Sequence, residues 1–366
     1  MAEGLRVVDT GERSARYQIA FGQMLIDRHR AGAAPDTLRF MTYPPSALVA
    51  RDQPLYTEVA VDWCRSHGVA VARRLGGGAT LYAGPGQLGW DLVVARHRLG
   101  VRSLAASLEV VGGAIAAGLA GLAVPARFRA PGRIDGDGRR LGSLGGFFDG
   151  ETAYFQGLLL VALEPGEIMR LLTVPGQRLI RRGMAEAAAR LVTLATLCGA
   201  GPPSGVELRN ALAAAVAGRL GLAPVAAPVN GGDEALASQL HDTVFGQEDF
   251  IDRVTSLAPE GTGTAACNRQ GSRFSAQVTL SGCEPREIAA VRFIGNYLVS
   301  PPDAFDALAL RLRGRPVAAA ATVIEDFFTG QPVDLLVLEV SDICAVLEAA
   351  MARAGAPSVP GTGPGR

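Results

Sequence analysis

Residues 73–88 read Arg73-Arg74-Leu75-Gly76-Gly77-Gly78-Ala79-Thr80-Leu81-Tyr82-Ala83-Gly84-Pro85-Gly86-Gln87-Leu88, and the remainder of the 366-residue chain is organised around them. Two arginines precede three glycines, a short β-prone run follows, and a second glycine turn closes the stretch. Glycine permits positive φ and lets a ligand approach backbone N–H groups with no Cβ in the way. An adjacent arginine presents a planar fork that matches a carboxylate or a phosphate. Taken alone, a tight turn between two strands is a simpler explanation of the pattern than an anion cradle. The spacing is neither the G-x-G-x-x-G fingerprint nor the phosphate-loop pattern, whose lysine is absent.

Composition narrows the choices. With 48% hydrophobic and 19% charged residues, the chain is globular and long enough for one large domain and a smaller one. A formal net charge of zero gives no reason to expect nucleic acid or an anionic membrane as partner. The longest uncharged apolar run, residues 110–124, contains Gly112, Gly113, Gly118 and Gly121. It falls short of the ~20 residues of a membrane span and reads as a core helix. No basic segment followed by an apolar one opens the chain, so no signal peptide is expected. Five cysteines (Cys64, Cys198, Cys267, Cys283, Cys344), spread without a C-x-x-C pair, predict a reducing, cytoplasmic setting and no zinc site. All 35 Lys+Arg residues are arginine, so no step here can use a lysine amine of the chain itself.

Hydrophobic spacing predicts the elements. Tyr17, Ala20, Phe21, Met24 and Leu25 form a helical stripe, and residues 37–40 a strand that Tyr43-Pro44-Pro45 breaks. A second helix would place Leu55, Val59, Ala60, Trp63 and Cys64 on one face. Residues 69–73 form a strand feeding the glycine loop, with 91–95 returning in the same sheet. Leu104, Leu108, Val111 and Ile115 mark a buried helix, and strands 140–148 and 154–161 meet at Asp149-Gly150, a hairpin dipeptide. Residues 167–252 are mostly helical, including 184–197, 206–220 and a segment after Asp233. The expected division is a domain over 1–258, a linker over 259–271 and a small α+β unit over 272–354. In the small unit, strands cover 273–281, 288–299 and the neighbourhood of 335–340, and Ser341 caps the last helix. The tail, 355–366, is rich in Gly and Pro and expected to be disordered.

In this order, the segments resemble the lipoate–protein ligase branch of the biotin/lipoate ligase and octanoyltransferase superfamily. Residues 73–83 align without gaps to R-R-x-[ST]-G-G-G-A-V-[YF]-H, and Gly84-Pro85-Gly86-Gln87-Leu88 resembles the octanoyltransferase version. Thr37 to Phe40 with Pro44-Pro45 resembles the family's first strand and proline turn, and Glu58 to Val69 its second helix and third strand. Asp137-Gly138-Arg139-Arg140-Leu141-Gly142-Ser143 resembles D-G-R-K-[IL]-[AG]-[GS], and Gln156-Gly157 the later H-G. Leu171-Leu172-Thr173-Val174-Pro175 and the helices after it resemble the ligases' helical return, and 272–353 their small C-terminal domain.

The resemblance implies an α+β fold: a mixed β-sheet with flanking helices, gathered on one face, that carries the glycine loop over an acyl tunnel. It also implies a reaction, in which the lipoate carboxylate attacks ATP, with Mg²⁺, to give an acyl-adenylate. A lysine of a lipoyl domain or glycine-cleavage H protein then takes the acyl group. The lipoyl- and adenylate-binding residues it implies are Arg73, Gly76, Gly77, Gly78, Ala79, Thr80, Tyr82, Ala83, Gln87, Ser143, Gly145, Gln156 and Gly157. Arg140 stands at the position of the family's strand lysine, the implied catalytic residue.

The departures fall on the chemistry. Arginine at 140 keeps the charge but is planar, bulkier and never deprotonated. Ala83 and Gln156 replace two family histidines. No cysteine lies between Cys64 and Cys198, so the acyltransferase branch's nucleophile, expected near Pro175-Gly176, is missing. His29, His67, His97 and His241 lie outside the motifs, and His29 and His67 read as solvated or dipole-paired residues at helix ends. Two functions follow: an ATP-dependent ligase with Arg140 in place of lysine, or a relative that binds lipoyl groups or lipoyl-domain proteins without activating them. A ligase for another acid, such as biotin or a fatty acid, is a third.

Overall fold

The computed structural model of the protein describes residues 4–163, 186, 188–199, 201–254, 260–282 and 286–354. Its strands are β1 (Gly4–Glu12), β2 (Thr37–Thr42), β3 (Ser46–Val49), β4 (Ala70–Arg73), β5 (Leu81–Ala83), β6 (Gln87–Ala95), β7 (Ala126–Arg129), β8 (Arg133–Gly136), β9 (Arg139–Asp149), β10 (Thr152–Leu160) and β11 (Ala223–Ala226). Three more, β12 (Gly263–Arg269), β13 (Ser272–Ser281) and β14 (Glu287–Gly295), belong to the C-terminal unit. The main sheet runs β11-β1-β2-β6-β10-β9-β8-β7; β11, β1 and β2 are parallel and the rest antiparallel, so the sheet is mixed.

Alternation along its central strands divides the core. Phe40, Trp90, Leu92 and Phe155 point to one side, where α4 (Leu104–Ala120) and the helix Gly205–Arg219 cover them. Met41, Val93, Tyr154 and Leu158 point to the other, toward α1 (Ala15–Arg30) and the helix Gly231–Leu240. Helices therefore flank both faces, correcting the one-sided layer expected. The helix starts follow the sequence: Ser14 and Ser103 cap α1 and α4, and Ser204 with Glu207 forms a capping box.

The strand feeding the glycine loop joins a separate small sheet, β4-β3-β5, so β6 does not return beside it as expected. The second helix is two short ones, α2 (Leu55–Glu58) and α3 (Val61–Ser66), broken at Val59-Ala60 while Leu55, Val59 and Cys64 stay buried. The Asp149-Gly150 hairpin forms as read, with Asp149 opposite Thr152 and Gly150 at φ +59°. The expected helical stretch 167–185, with the Leu171 to Gly176 segment, and the tail 355–366 lie outside the described residues.

In the C-terminal unit the sheet β12-β13-β14 packs on the helices Ala304–Leu312, Ala320–Gly330 and Val340–Ala354 around Phe274, Phe305, Ile324 and Phe327. Strand β12 lies inside the segment expected to be linker, because its residues pair with β13 from Gly263 to Arg269. Ser341 sits within the last helix rather than capping it. Two short strands complete the unit, β15 (Val299–Ser300) and β16 (Asp334–Leu335). The unit docks on the first domain through backbone bonds: Gly295 N–H to the Asp52 carbonyl at 3.0 Å and Gly78 N–H to the Tyr297 carbonyl at 2.9 Å. Phe148 N–H also donates to Ser300 Oγ at 2.8 Å, and Arg51 pairs with Asp306 at 2.5 Å.

Candidate functional site

The glycine loop sits over the α1 face of the main sheet, and the two arginines before it part ways. Arg73 ends β4 and turns inward. Its guanidinium donates to the carbonyls of Ile251, Ala50, Arg51 and Gln53, and the side chain is 1% exposed. With its donors so occupied it does not reach the cavity, which corrects its expected role as anion partner. Arg74 faces the cavity instead. One of its terminal nitrogens bonds the Gly77 and Ala79 carbonyls, while its Nε is buried without a partner. Burial pushes this guanidinium down to about 10.

Gly78 adopts φ +92°, a backbone that disfavours any side chain. At Gly77, a Cβ would stand 2.2 Å from the Tyr297 carbonyl oxygen, so the loop and the C-terminal unit touch closely only because the side chain is absent. Gly76 and Ala83 do not line the cavity. Gly76 is buried, its carbonyl accepting from Arg51 N–H, and Ala83 is fully buried opposite Ser46. Both corrections have one cause: alternation and turn geometry aim these residues into packing.

Arg140 reaches the site through an irregularity. Ser143 pairs with Arg133 and Gly142 with Ile134, but Asp135 then pairs with Arg140, leaving Leu141 as an extra residue. This bulge reverses the alternation. Leu141 enters the core, fully buried, and both Arg140 and Ser143 line the cavity. The Arg140 backbone bridges to the 190–192 segment, but its side chain has no ion-pair or hydrogen-bond partner among the described residues, whereas neighbouring Arg133 is held by Asp135 at 2.8 Å.

Two adjoining cavities of about 470 and 690 Å³ meet at Ala79, Leu81, Arg133, Arg140, Ser143 and Leu158. The first is lined also by Gly77, Gly78, Gly145, Gln156 and Gly157, and reaches Tyr43, Arg74 and Asp91. The second is lined by Thr80, Tyr82, Gln87, Leu160 and Leu191. Thr80 donates to Gln53 and Gln87 accepts from Gly84 N–H, so these two side chains hold the loop. The structure thus gathers Arg140 with ten of the thirteen expected binding residues, and leaves out Arg73, Gly76 and Ala83.

Three residues at the cavity are not among those the resemblance implies: Arg74, Asp91 and the latter's partner Arg39. Asp91, 3% exposed, pairs with Arg39, 1% exposed, and accepts from the Tyr154 hydroxyl at 3.0 Å. Burial holds Asp91 above the usual carboxylate range despite the guanidinium. The available cue was one charge in each of two otherwise apolar strands, Leu38-Arg39-Phe40 and Trp90-Asp91-Leu92. His29, read as a solvated or dipole-paired residue at a helix end, lies in the last turn of α1 and is held between Thr152 at 2.8 Å and Asp36 at 3.0 Å rather than solvated.

Chemically, the arginines and loop donors suit a carboxylate and a phosphate. They do not suit a divalent cation. Asp91, the one carboxylate among the described lining residues, is paired with Arg39, and no cluster of three His, Cys, Asp or Glu residues occurs among the described residues. Nor does any described cysteine line either cavity: Cys64 and Cys198 pack in hydrophobic clusters, and Cys267 and Cys344 lie in the C-terminal unit.

Residues 14–217 match the Lipoyl protein ligase A/B catalytic domain, more than half of the chain. The chain belongs to that family. Among curated members it is 27% identical over 277 residues to octanoyltransferase LipM of Symbiobacterium thermophilum, covering 68% of this chain and 98% of that protein. LipM of Moorella thermoacetica is also 27% identical, covering 57% of this chain and 84% of its own. Among solved structures, the bipartite lipoate protein ligase of Thermoplasma acidophilum superposes with a TM-score of 0.62 at 19% identity, covering 70% of this chain and 99% of its own. P. falciparum LipL1, solved with lipoate, gives a TM-score of 0.69 at 12% identity over 90% of this chain and 95% of its own. These two superpositions show the family fold, the second extending over most of the C-terminal unit. No helix among the described residues is long and apolar enough to cross a membrane.

Proposed function

We propose that this family member is an acyl–protein ligase that activates lipoate or octanoate with ATP and passes the acyl group to a lysine of a lipoyl domain or glycine-cleavage H protein. The observation that carries the reading is the Arg140 side chain: unpaired among the described residues, bulged onto the junction of the two cavities, with no described cysteine on either lining to form an acyl-enzyme. In the first step a carboxylate oxygen attacks the α-phosphorus of ATP, the bond to the β-phosphate oxygen breaks, and pyrophosphate leaves. In the second, the acceptor amine attacks the acyl carbon, the bond to AMP breaks, and the amine proton passes to solvent. Arg140 and Arg74 stabilise the negative charge that develops on phosphate and carbonyl oxygens. The described residues that line the cavities offer no ligand set for Mg²⁺.

A second reading has its own support. The Gly78 N–H is taken by the Tyr297 carbonyl, and the Leu298 side chain enters the first cavity. A loop whose donor is already engaged suits a protein that holds a lipoyl group without activating it.

Intact-mass analysis of an apo lipoyl domain separates these. The protein is supplied with octanoic or lipoic acid plus ATP and Mg²⁺ in one arm, and with an octanoyl thioester in the other. Acylation from acid and ATP, falling about 10²–10³-fold in Arg140→Ala, is the expected result. Acylation from the thioester alone would make the protein a transferase. No product in either arm, with an acyl-adenylate still raising Tm, would leave binding without catalysis.

A further inference from the structure

Charge is unevenly spread on this chain: its formal net charge is zero, yet one edge of the main sheet is strongly basic. Strand β7 ends the sheet, and on it Arg127 and Arg129 alternate with Ala126 and Phe128. Phe128 packs into the core against Gly112 of α4, so the two arginines take the opposite side. Pairing carries that side inward: Arg127 lies opposite Asp135, Arg129 opposite Arg133, and Asp135 opposite Arg140. Directly opposed residues share a face, so these four arginines form an apron around one carboxylate, the buried Asp135. Asp135 lies 2.8 Å from Arg133 and 3.4 Å from Arg129. The Arg127 and Arg140 side chains have no ion-pair partner among the described residues. Arg127 and Arg129 are exposed and line neither cavity. Two strand spacings put the Arg127 backbone about 10 Å from that of Arg140. A ramp of positive charge thus runs from the sheet edge to the mouth of the cavities.

We propose that this apron is the docking surface for the acyl-acceptor protein, which presents carboxylates beside its target lysine. The proposal rests on the acyl-transfer reading above and assigns that reaction a partner surface. The acceptor amine has to reach an acyl carbon held at Arg140, and a lysine stem is only four carbons long. The body of its protein therefore settles on the cavity rim, where β7 and β8 lie. A free lysine arrives as an ammonium, which these arginines repel unless carboxylates around it meet them. Once it is docked, the nearby guanidiniums favour its neutral, nucleophilic form. Nucleic acid suits the apron less well: it needs a longer basic track and aromatic platforms, and Phe128, the aromatic residue of β7, points into the core.

The test combines acylation of an apo lipoyl domain with direct titration of that domain into the full chain, at about 20 and 200 mM salt. Arg127→Glu/Arg129→Glu should raise both the KM and the Kd for the domain about 10-fold or more and flatten their salt dependence. The KM values for acid and ATP should not move. Arg127→Lys/Arg129→Lys should behave as the unaltered protein, because exposed point charges suffice. A lipoyl domain with the carboxylates flanking its lysine changed to amides should lose as much affinity, which reads the same surface without altering this chain. An unchanged KM and Kd in the charge-reversed variant overturn the docking surface and leave the acyl-transfer reading standing. Tighter binding of single-stranded DNA than of the lipoyl domain overturns the acidic-protein assignment. Docking that depends on these charges but gives no acylation overturns the transfer reading and leaves the surface. Neither docking nor acylation overturns both.

Discussion

The floor and the roof of the cavity are both polar, yet they are built in opposite ways. The floor lies on central strands of one domain, and its charges, Arg39 and Asp91, are sealed from solvent and paired with each other. The roof is a seam. The glycine loop meets the C-terminal unit through the Gly78–Tyr297 and Asp52–Gly295 backbone bonds and the Arg51–Asp306 pair, one member of which is largely exposed. A buried pair is costly to break from one side because it strands a charge, whereas a half-exposed seam can part and reform. The floor is thus suited to setting which ligand fits, and the roof to admitting it.

The largest test of that contrast is on the floor. Arg39→Met leaves Asp91 buried without its cation and should cost about 3–5 kcal/mol in urea unfolding, most of it recovered in Arg39→Met/Asp91→Leu. Asp91 in the single variant is raised further above its unfolded pKa. Its protonated form is then the one the fold favours, so the deficit should shrink as pH falls. A deficit under about 1 kcal/mol would mean that the floor is no more sealed than the roof.

On the roof, Gly77→Ala drives a Cβ to 2.2 Å from the Tyr297 carbonyl oxygen. Relief requires the seam to shift, at about 1–3 kcal/mol. Amide exchange at Gly78 should accelerate while exchange along β6 and β10 is unchanged; unaltered protection at Gly78 would show that the seam is not closed in solution.

The smallest effect concerns Asp52, whose carboxyl is pushed up to about 6, mainly by burial and partly offset by Arg51 at 3.5 Å. A folded pKa above the unfolded one gives stability that is fully present below about pH 4 and lost as pH rises through about 6. Asp52→Asn should flatten that slope and add about 1–2 kcal/mol at pH 7, read from thermal melts across pH 4–8. An unchanged slope would move the titration to another group.

How much was legible follows from how local each feature is. The α1 stripe, the α4 helix and the Asp149-Gly150 hairpin rest on spacings within one element and appear as read. The single sheet expected for β4 and β6 did not form, since pairing partners are not encoded by strand propensity. Arg73 and Arg74 show the limit most sharply. Both precede the glycines, and the motif cannot say which one faces a ligand. That depends on carbonyls contributed by Ile251, 178 residues away.

By itself the sequence determined the family pattern, the glycines that tolerate close backbone approach, the lack of lysine, and the absence of a cysteine between Cys64 and Cys198. These are matters of residue identity and near-neighbour spacing. Tertiary structure alone decided that Leu141 is the extra residue turning Arg140 toward the cavity, that Arg39 meets Asp91 across 52 residues, and that Tyr297 caps the glycine loop. Each depends on register between separate strands or contact between separate units, and a one-residue slip in register sends a side chain to the opposite face of its sheet.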